Sequence, residues 1–137
     1  MDYPSLYQMF REVSTINGSK LAFKHKRDGN WFDITWTEAK ETVQRVSKSR
    51  IALKMEKGSK ASILSQTRLE WSLCVFGIVS CGVVTVGIYH SNLPDGCAYI
   101  LDHSDSEMVF VEDAEQLTKV LEVRGRLPKL RHIVIFD

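Results

Sequence analysis

A chain of 137 residues with 44% hydrophobic and 26% charged side chains has the length and balance of one ordinary globular domain. Its net charge of +1, with no basic cluster interleaved with aromatics, leaves no electrostatic case for binding nucleic acid or an acidic membrane surface. Three cysteines, Cys74, Cys81 and Cys97, make no disulfide framework and suit a reducing compartment. The opening MDYPSLYQMFREV has no basic stretch followed by an apolar core and does not read as a secretory signal.

Leu6, Met9, Phe10 and Val13 follow helical spacing behind Ser5, a natural N-cap, and Asn17-Gly18-Ser19 ends that helix. Leu21 to Lys26 and Trp31 to Trp36 flank Arg27-Asp28-Gly29-Asn30, and Asp-Gly between two apolar-alternating runs predicts a hairpin. Thr35 and Glu38 have capping-box spacing, with Thr37 a rival cap. The helix that follows carries Ala39, Val43, Val46 and Leu53 on one stripe, interrupted by Arg50.

Lys57-Gly58-Ser59-Lys60 turns into a predicted strand, Ala61 to Leu64. Next comes WSLCVFGIVSCGVVTVGIY, Trp71 to Tyr89, without a charge. That run has the length of a membrane span. Its serines and glycines make it only moderately apolar, and its second half is β-branched. Gly82 sits where a left-handed residue would stop a helix. The run therefore reads as a buried helix from about Arg68 to Cys81, a turn, and a buried strand from Val83 to Tyr89. Cys74 and Cys81, seven residues apart, read as small apolar residues on one face of that helix. A helix opening at Asn92-Leu93-Pro94-Asp95, a strand from Glu107 to Val111, an amphipathic helix from Ala114 to Arg126 and a strand from His132 to Phe136 complete the order.

Strands alternating with helices imply an α/β fold: a partial parallel sheet, βαβαβαβ, flanked by helices and preceded by a helix and a β-hairpin. A parallel sheet that stops on a strand expects more chain. Ligands of such sheets sit beyond the carboxyl ends of the strands, here the loops starting at Ser65, His90, Glu112 and past Asp137.

Little reactive chemistry falls in those loops. Neither common phosphate loop, Gly-x-Gly-x-x-Gly or Gly-x-x-x-x-Gly-Lys-Ser/Thr, is present, which disfavours a flavodoxin-like nucleotide binder. The histidines His25, His90, His103 and His132 are scattered, and no Cys/His group has zinc spacing. His90 reads as a polar loop residue ahead of a catalytic base. Asp102-His103-Ser104-Asp105 reads as a helix end, because sequence neighbours point apart and form no triad. Glu112-Asp113 follows a strand; capping the next helix ranks above binding a ribose or metal.

The order of pieces resembles the N-terminal region of the adenylate-forming acyl-CoA synthetases, the long-chain fatty acid–CoA ligases in particular. The resemblance begins with Phe23 to Trp31 leading to Ile34-Thr35-Trp36-Thr37-Glu38. It continues through Ile63-Leu64-Ser65-Gln66-Thr67-Arg68-Leu69-Glu70-Trp71, Val84 to Tyr89, Ala98 to Ser104, Val109-Phe110-Val111-Glu112-Asp113, Gln116-Leu117, and Leu127-Pro128 to Asp137. No single piece is specific; their succession at family-like spacing is.

The resemblance implies one incomplete domain, the truncated N-terminal subdomain of an adenylate-forming enzyme. Residues 1–56 would form a helix, hairpin and helix, and residues 57–137 the parallel α/β unit. The rest of the AMP-binding domain and the C-terminal domain would be absent. A complete parent would use ATP, magnesium, a fatty acid and CoA. The family's phosphate loop, nucleotide-binding segments and catalytic lysine come later, so no catalytic, cofactor-binding or metal residue is carried onto this chain. The alternative is a free-standing interaction module or relic that kept the fold, offering the edge of its last strand to a partner. The partners implied are a second copy or the remaining part of the ligase, with no nucleic acid and no transmembrane span. The implied location is cytoplasmic, with peripheral membrane association of the parent left open. Against the family pattern, Lys54 stands where a helix-ending glycine is usual, which predicts a lysine forced to positive φ. Ser59 stands for an aspartate, Leu69 for a proline, and Arg50 falls near a position usually small or apolar.

Overall fold

The structure, a computed structural model, describes residues 3–137 and, at Arg50, the backbone alone. The side chain of Arg50, read above as interrupting an apolar stripe, lies outside the described residues. Helix α1 is Leu6–Asn17, and Ser5 caps it by accepting the Gln8 N–H at 3.1 Å. Strands β1, Leu21–Arg27, and β2, Asn30–Thr35, pair antiparallel from Arg27 opposite Asn30. Asp28 and Gly29 form the two-residue turn, both at positive φ (49° and 81°), the geometry a type I′ hairpin requires. Helix α2, Trp36–Ala52, starts on the Thr35–Glu38 capping box rather than on Thr37.

The parallel unit follows the expected alternation: β3 Lys60–Leu64, α3 Leu69–Ser80, β4 Val84–Ile88, α4 Pro94–His103, β5 Ser106–Val111, α5 Ala114–Val123 and β6 His132–Ile135. Strand order is β4-β3-β5-β6, all parallel. The last helix, expected to run to Arg126, is α-helical only to Val123, and Arg124–Arg126 tighten into a 3₁₀ turn. Three-residue hydrogen bonding commonly tightens a last turn in this way. Gly82, at φ 73°, separates α3 from β4 as its position suggested, but β4 is not the buried strand expected: it lies at the end of the strand order, with Val84 half-exposed and Tyr89 exposed just beyond it.

Each inner strand alternates between two apolar layers, as the pleat dictates. Ala61 and Ile63 of β3, with Met108 and Phe110 of β5, pack beneath Cys74 and Ile78 of α3. Leu64, Val109 and Val111 face the opposite way, onto Cys97 and Leu101 of α4 and Val120 and Val123 of α5. Helix α3 is covered a second time on its far side. There Leu73, with Leu69 and Phe76, meets Phe10 of α1, Ala39 and Val43 of α2 and Phe23 and Ile34 of the hairpin. Cover on two sides explains why α3 lacks a charged face, and why its run is so apolar without spanning a membrane. No helix among the described residues is long and apolar enough to cross one.

Helices α2 and α3 pack tightly at Gly77. A Cβ there would lie 2.5 Å from both Val46 Cβ and Cγ1. Gly77→Ala should therefore lose about 1 kcal/mol or more in urea unfolding, because overpacking of ~1–3 kcal/mol outweighs a helix-propensity gain of up to ~1 kcal/mol. An unchanged or raised midpoint would refute that close packing. Lys54 takes φ 53° just past the end of α2, as expected of a lysine in a glycine position. Lys54→Gly should raise stability by roughly 0.5 kcal/mol: left-handed strain of ~1–2 kcal/mol is relieved, less the entropy a glycine adds to the unfolded chain. A lower thermal midpoint would contradict it. Ser59, in place of a carboxylate, donates from Oγ to Glu107 Oε1 at 2.6 Å, so the site keeps a polar tie between β3 and β5.

Candidate functional site

The loop leaving β3 enters α3 on one face of the sheet, and the loop leaving neighbouring β5 enters α5 on the other. Such a divergence opens a crevice at the carboxyl ends of the strands, the place where open α/β sheets bind ligands. Here a cleft of about 570 Å³ lies beside it, walled by Phe23 to Arg27 and Trp31 of the hairpin and by Gln66 to Glu70, Ser72 and Glu112.

Arg68 fills the middle of this region. Its Nε donates to Glu70 Oε2 at 2.6 Å and its Nη1 to Asp137 Oδ2 at 2.8 Å, and Glu112 Oε1 lies 3.6 Å from Nη1. The guanidinium also stands over the Phe136 ring, 5.8 Å from its centroid. Glu112 accepts the Gln66 N–H at 2.7 Å, and Arg27 of the hairpin lies 3.8 Å from Asp137. One arginine thus gathers the ends of β5 and β6 and the start of α3, and through Asp137 it reaches the hairpin.

The hydrogen bonds that Arg68 donates to Glu70 and Asp137 raise its pKa above the ordinary value, against the opposing effect of burial. Burial pushes Glu70 upward, but the Arg68 hydrogen bond, a backbone N–H and the arginine's charge together hold its carboxyl below the usual value. Asp137 is lowered first by its hydrogen bond from Arg68, then by the charges of Arg68 and Arg27.

The residues singled out in the sequence do not converge. His90 is exposed in the β4–α4 loop, where its carbonyl oxygen accepts from Lys119 Nζ at 2.8 Å. His103 stacks on Tyr99 along α4, His25 tilts against Phe32 in the hairpin, and His132 starts β6. Asp102 to Asp105 close α4, with Ser104 the C-cap and Asp105 at φ 56° beside Lys129. Asp113 caps α5 by accepting the Gln116 N–H at 2.9 Å. Burial pushes the Cys74 thiol up to about 12, which makes it unreactive. Cys81 is half-buried just past α3, with its Sγ donating to the Gly77 carbonyl at 3.2 Å.

No group of three His, Cys, Asp or Glu residues among those described is placed to hold a metal ion. Glu70, Glu112 and Asp137 are engaged by Arg68 and the Gln66 N–H, and the left-handed glycines Gly18, Gly29, Gly58 and Gly82 lie in separate turns. These carboxylates are therefore not free to hold a magnesium ion. The Arg68 group was the feature that sequence reasoning missed. Its one local signal is an arginine and a glutamate two residues apart where a helix follows a strand.

The family model for AMP-binding enzymes matches residues 10–137. The chain belongs to the AMP-binding enzyme family. FadD15 of Mycobacterium bovis, a long-chain-fatty-acid–CoA ligase, is 30% identical over 130 residues, covering 86% of this chain and 22% of its own length. ACSBG2 of Xenopus laevis, another long-chain-fatty-acid–CoA ligase, is 28% identical over 130 residues, covering 95% of this chain and 18% of its own. The chain thus spans about a fifth of these curated relatives. Among solved structures, the anthranilate CoA ligase AuaEII, in complex with anthranoyl-AMP, superposes with a TM-score of 0.86 at 24% identity, over 98% of this chain and 25% of that one. The N-terminal domain of FACL13 from Mycobacterium tuberculosis gives 0.86 at 19% identity, over 96% and 33%. At these identities the likeness establishes the fold alone, and over a quarter to a third of those chains.

Proposed function

We propose that this chain is the N-terminal part of a long-chain fatty acid–CoA ligase and performs no ligation alone. It would form one incomplete domain, built from residues 1–56 and the parallel unit of residues 57–137. The observation that carries this reading is the 30% identity to a long-chain-fatty-acid–CoA ligase across 86% of the chain. In the complete enzyme, the fatty-acid carboxylate would attack the α-phosphorus of ATP and release pyrophosphate. The CoA thiol would then attack the acyl-adenylate carbonyl and release AMP. Magnesium would balance the phosphate charge, held like ATP and CoA by residues outside this chain. The parent would be cytoplasmic, meeting membranes peripherally through its substrate.

The role left to this segment is architectural. α3 is clamped between the sheet and α1–α2, while Arg68 fixes where the chain emerges from β6 at Asp137. Incubation of the purified 137-residue chain with ATP, magnesium, a long-chain fatty acid and CoA is expected to release no pyrophosphate above the blank. Measurable turnover would overturn the reading. A second reading, an interaction module that kept this fold, draws on the two edges of the sheet, β4 and β6.

A further inference from the structure

Three positions place an asparagine or aspartate directly before a glycine: Asn17-Gly18, Asp28-Gly29 and Asp95-Gly96. At such pairs a chain can attack itself. The glycine nitrogen, unhindered by a Cβ, reaches the side-chain carbonyl carbon of the residue before it and closes a five-membered imide. By sequence Asn17 leads, because ammonia leaves an amide more readily than water leaves a carboxyl group. The fold reverses that order.

At Asn17 both reacting groups are held. The Gly18 N–H donates to the Ser14 carbonyl at 3.1 Å, Asn17 Nδ2 donates to the Val13 carbonyl at 3.0 Å, and Asn17 Oδ1 accepts from Lys20 Nζ at 3.2 Å. Asp95 lies in the first turn of α4, where helical backbone turns the Gly96 nitrogen away from the side chain, and its Oδ1 accepts from Arg126 Nη1 at 2.7 Å. At Asp28 neither group is held. Its side chain is 92% exposed, and Arg27 Nε at 4.0 Å is beyond hydrogen-bond reach. Among the described residues the Gly29 N–H has no acceptor.

We propose that Asp28-Gly29 is a modification site, where the turn converts spontaneously to isoaspartate, the substrate class of S-adenosylmethionine-dependent isoaspartate carboxyl methyltransferases. The Gly29 nitrogen loses its proton to water and bonds to Asp28 Cγ, and a carboxyl oxygen leaves as water. Water then adds back to the imide. Addition at Cγ restores aspartate. Addition at the main-chain carbonyl breaks that carbon's bond to the Gly29 nitrogen and routes the chain through Cγ, so no atom is gained or lost overall. The step uses only residues 28 and 29 and water. It needs no partner surface and is independent of the ligase reading.

Conversion loosens the hairpin. The turn spans two residues, with Arg27 opposite Asn30. Isoaspartate adds a main-chain carbon that this turn takes up only by releasing the register behind it. That register sets Lys26 opposite Trp31, both in the wall of the cleft.

The test is ageing of the purified chain in warm, near-neutral buffer. Isoaspartate is measured as methyl transfer from S-adenosylmethionine by an isoaspartate methyltransferase and located by peptide fragmentation. Methyl acceptance is expected to rise with time and to map to residue 28, while Asn17 keeps its amide mass. Asp28→Glu, which would need a six-membered ring, should abolish it. Should Asp28→Glu fail to fold, Asp28→Asn decides. Asn-Gly suits the same turn, and its better leaving group should raise the rate several-fold. Acceptance that stays at the level of fresh protein, maps to residue 17 or 95, or persists in Asp28→Glu overturns the site, as does an Asp28→Asn rate no faster than wild type. In aged chains the amides of Leu21–Arg27 and Asn30–Thr35 should lose protection from hydrogen exchange. Unchanged protection overturns the loosening.

Discussion

Ile63→Ala is expected to cost about 3–4 kcal/mol, toward the upper part of the ~2–5 kcal/mol range for emptying a buried aliphatic site. Ile63 is fully buried in an inner strand, flanked by β4 and β5 and roofed by Cys74 and Ile78 of α3. Strands on both sides and a helix clamped from behind leave the cavity little freedom to collapse, and collapse is what separates a mild deletion from a severe one. For a chain of this length the thermal midpoint should fall by roughly 12 °C. Val84→Ala, which trims a half-exposed residue of an edge strand, should change stability by less than about 0.5 kcal/mol. Comparable losses at the two sites would show that the α3 layer does not hold the sheet as described.

The second large effect belongs to Arg68. Arg68→Ala should cost about 2 kcal/mol, between the ~0–1 kcal/mol of an exposed ion pair and the ~3–5 kcal/mol of breaking a buried one. The intermediate value follows from the setting. Arg68 is 22% exposed and Glu112 13%, so losing the cation leaves a largely buried carboxylate without its counter-charge, whereas Asp137 at 42% regains water easily. Arg68→Lys should recover only part of the loss, because an ammonium cannot serve Glu70 and Asp137 from one planar fork. The pH dependence has a definite sign. Glu70 and Asp137 both lie below their ordinary pKa values in the folded chain. Their contribution is therefore complete above the ordinary carboxylate range and is lost as pH falls through their lowered values. Wild type should lose stability in acid over the window below about pH 4, and Arg68→Ala should show a shallower loss there. Identical acid profiles would show that Arg68 does not lower these carboxylates.

The elements legible in the sequence are those written by local chemistry. Asp28-Gly29 carries its own hairpin geometry, Thr35 and Glu38 cap each other three residues apart, and Gly82 marks a left-handed position after a helical run, whereas Lys54 is legible only through the family resemblance. The strand–helix alternation likewise needs only periodicity. What stayed hidden depends on which elements meet. A helix covered on two sides loses its amphipathic signature, so the partners of α3 could not be read from its own residues. Gly77 registered only as a break in an apolar run, because its role is set by Val46 some thirty residues earlier. Arg68 and Asp137 are 69 positions apart in the chain and become neighbours only because β3, β5 and β6 lie side by side. Strand order has no linear signature either. The sequence placed an open edge on the last strand, and the fold adds a second at β4, which lies inside the chain between α3 and α4.

The central claim, that these residues begin a long-chain fatty acid–CoA ligase, is tested most directly by the intact mass of the native gene product from its source cell. The relatives are about five times as long as the matched region, so the expected mass is several times 15.6 kDa. A native product of about 15.6 kDa would contradict the ligase assignment and leave the fold to serve as an interaction module.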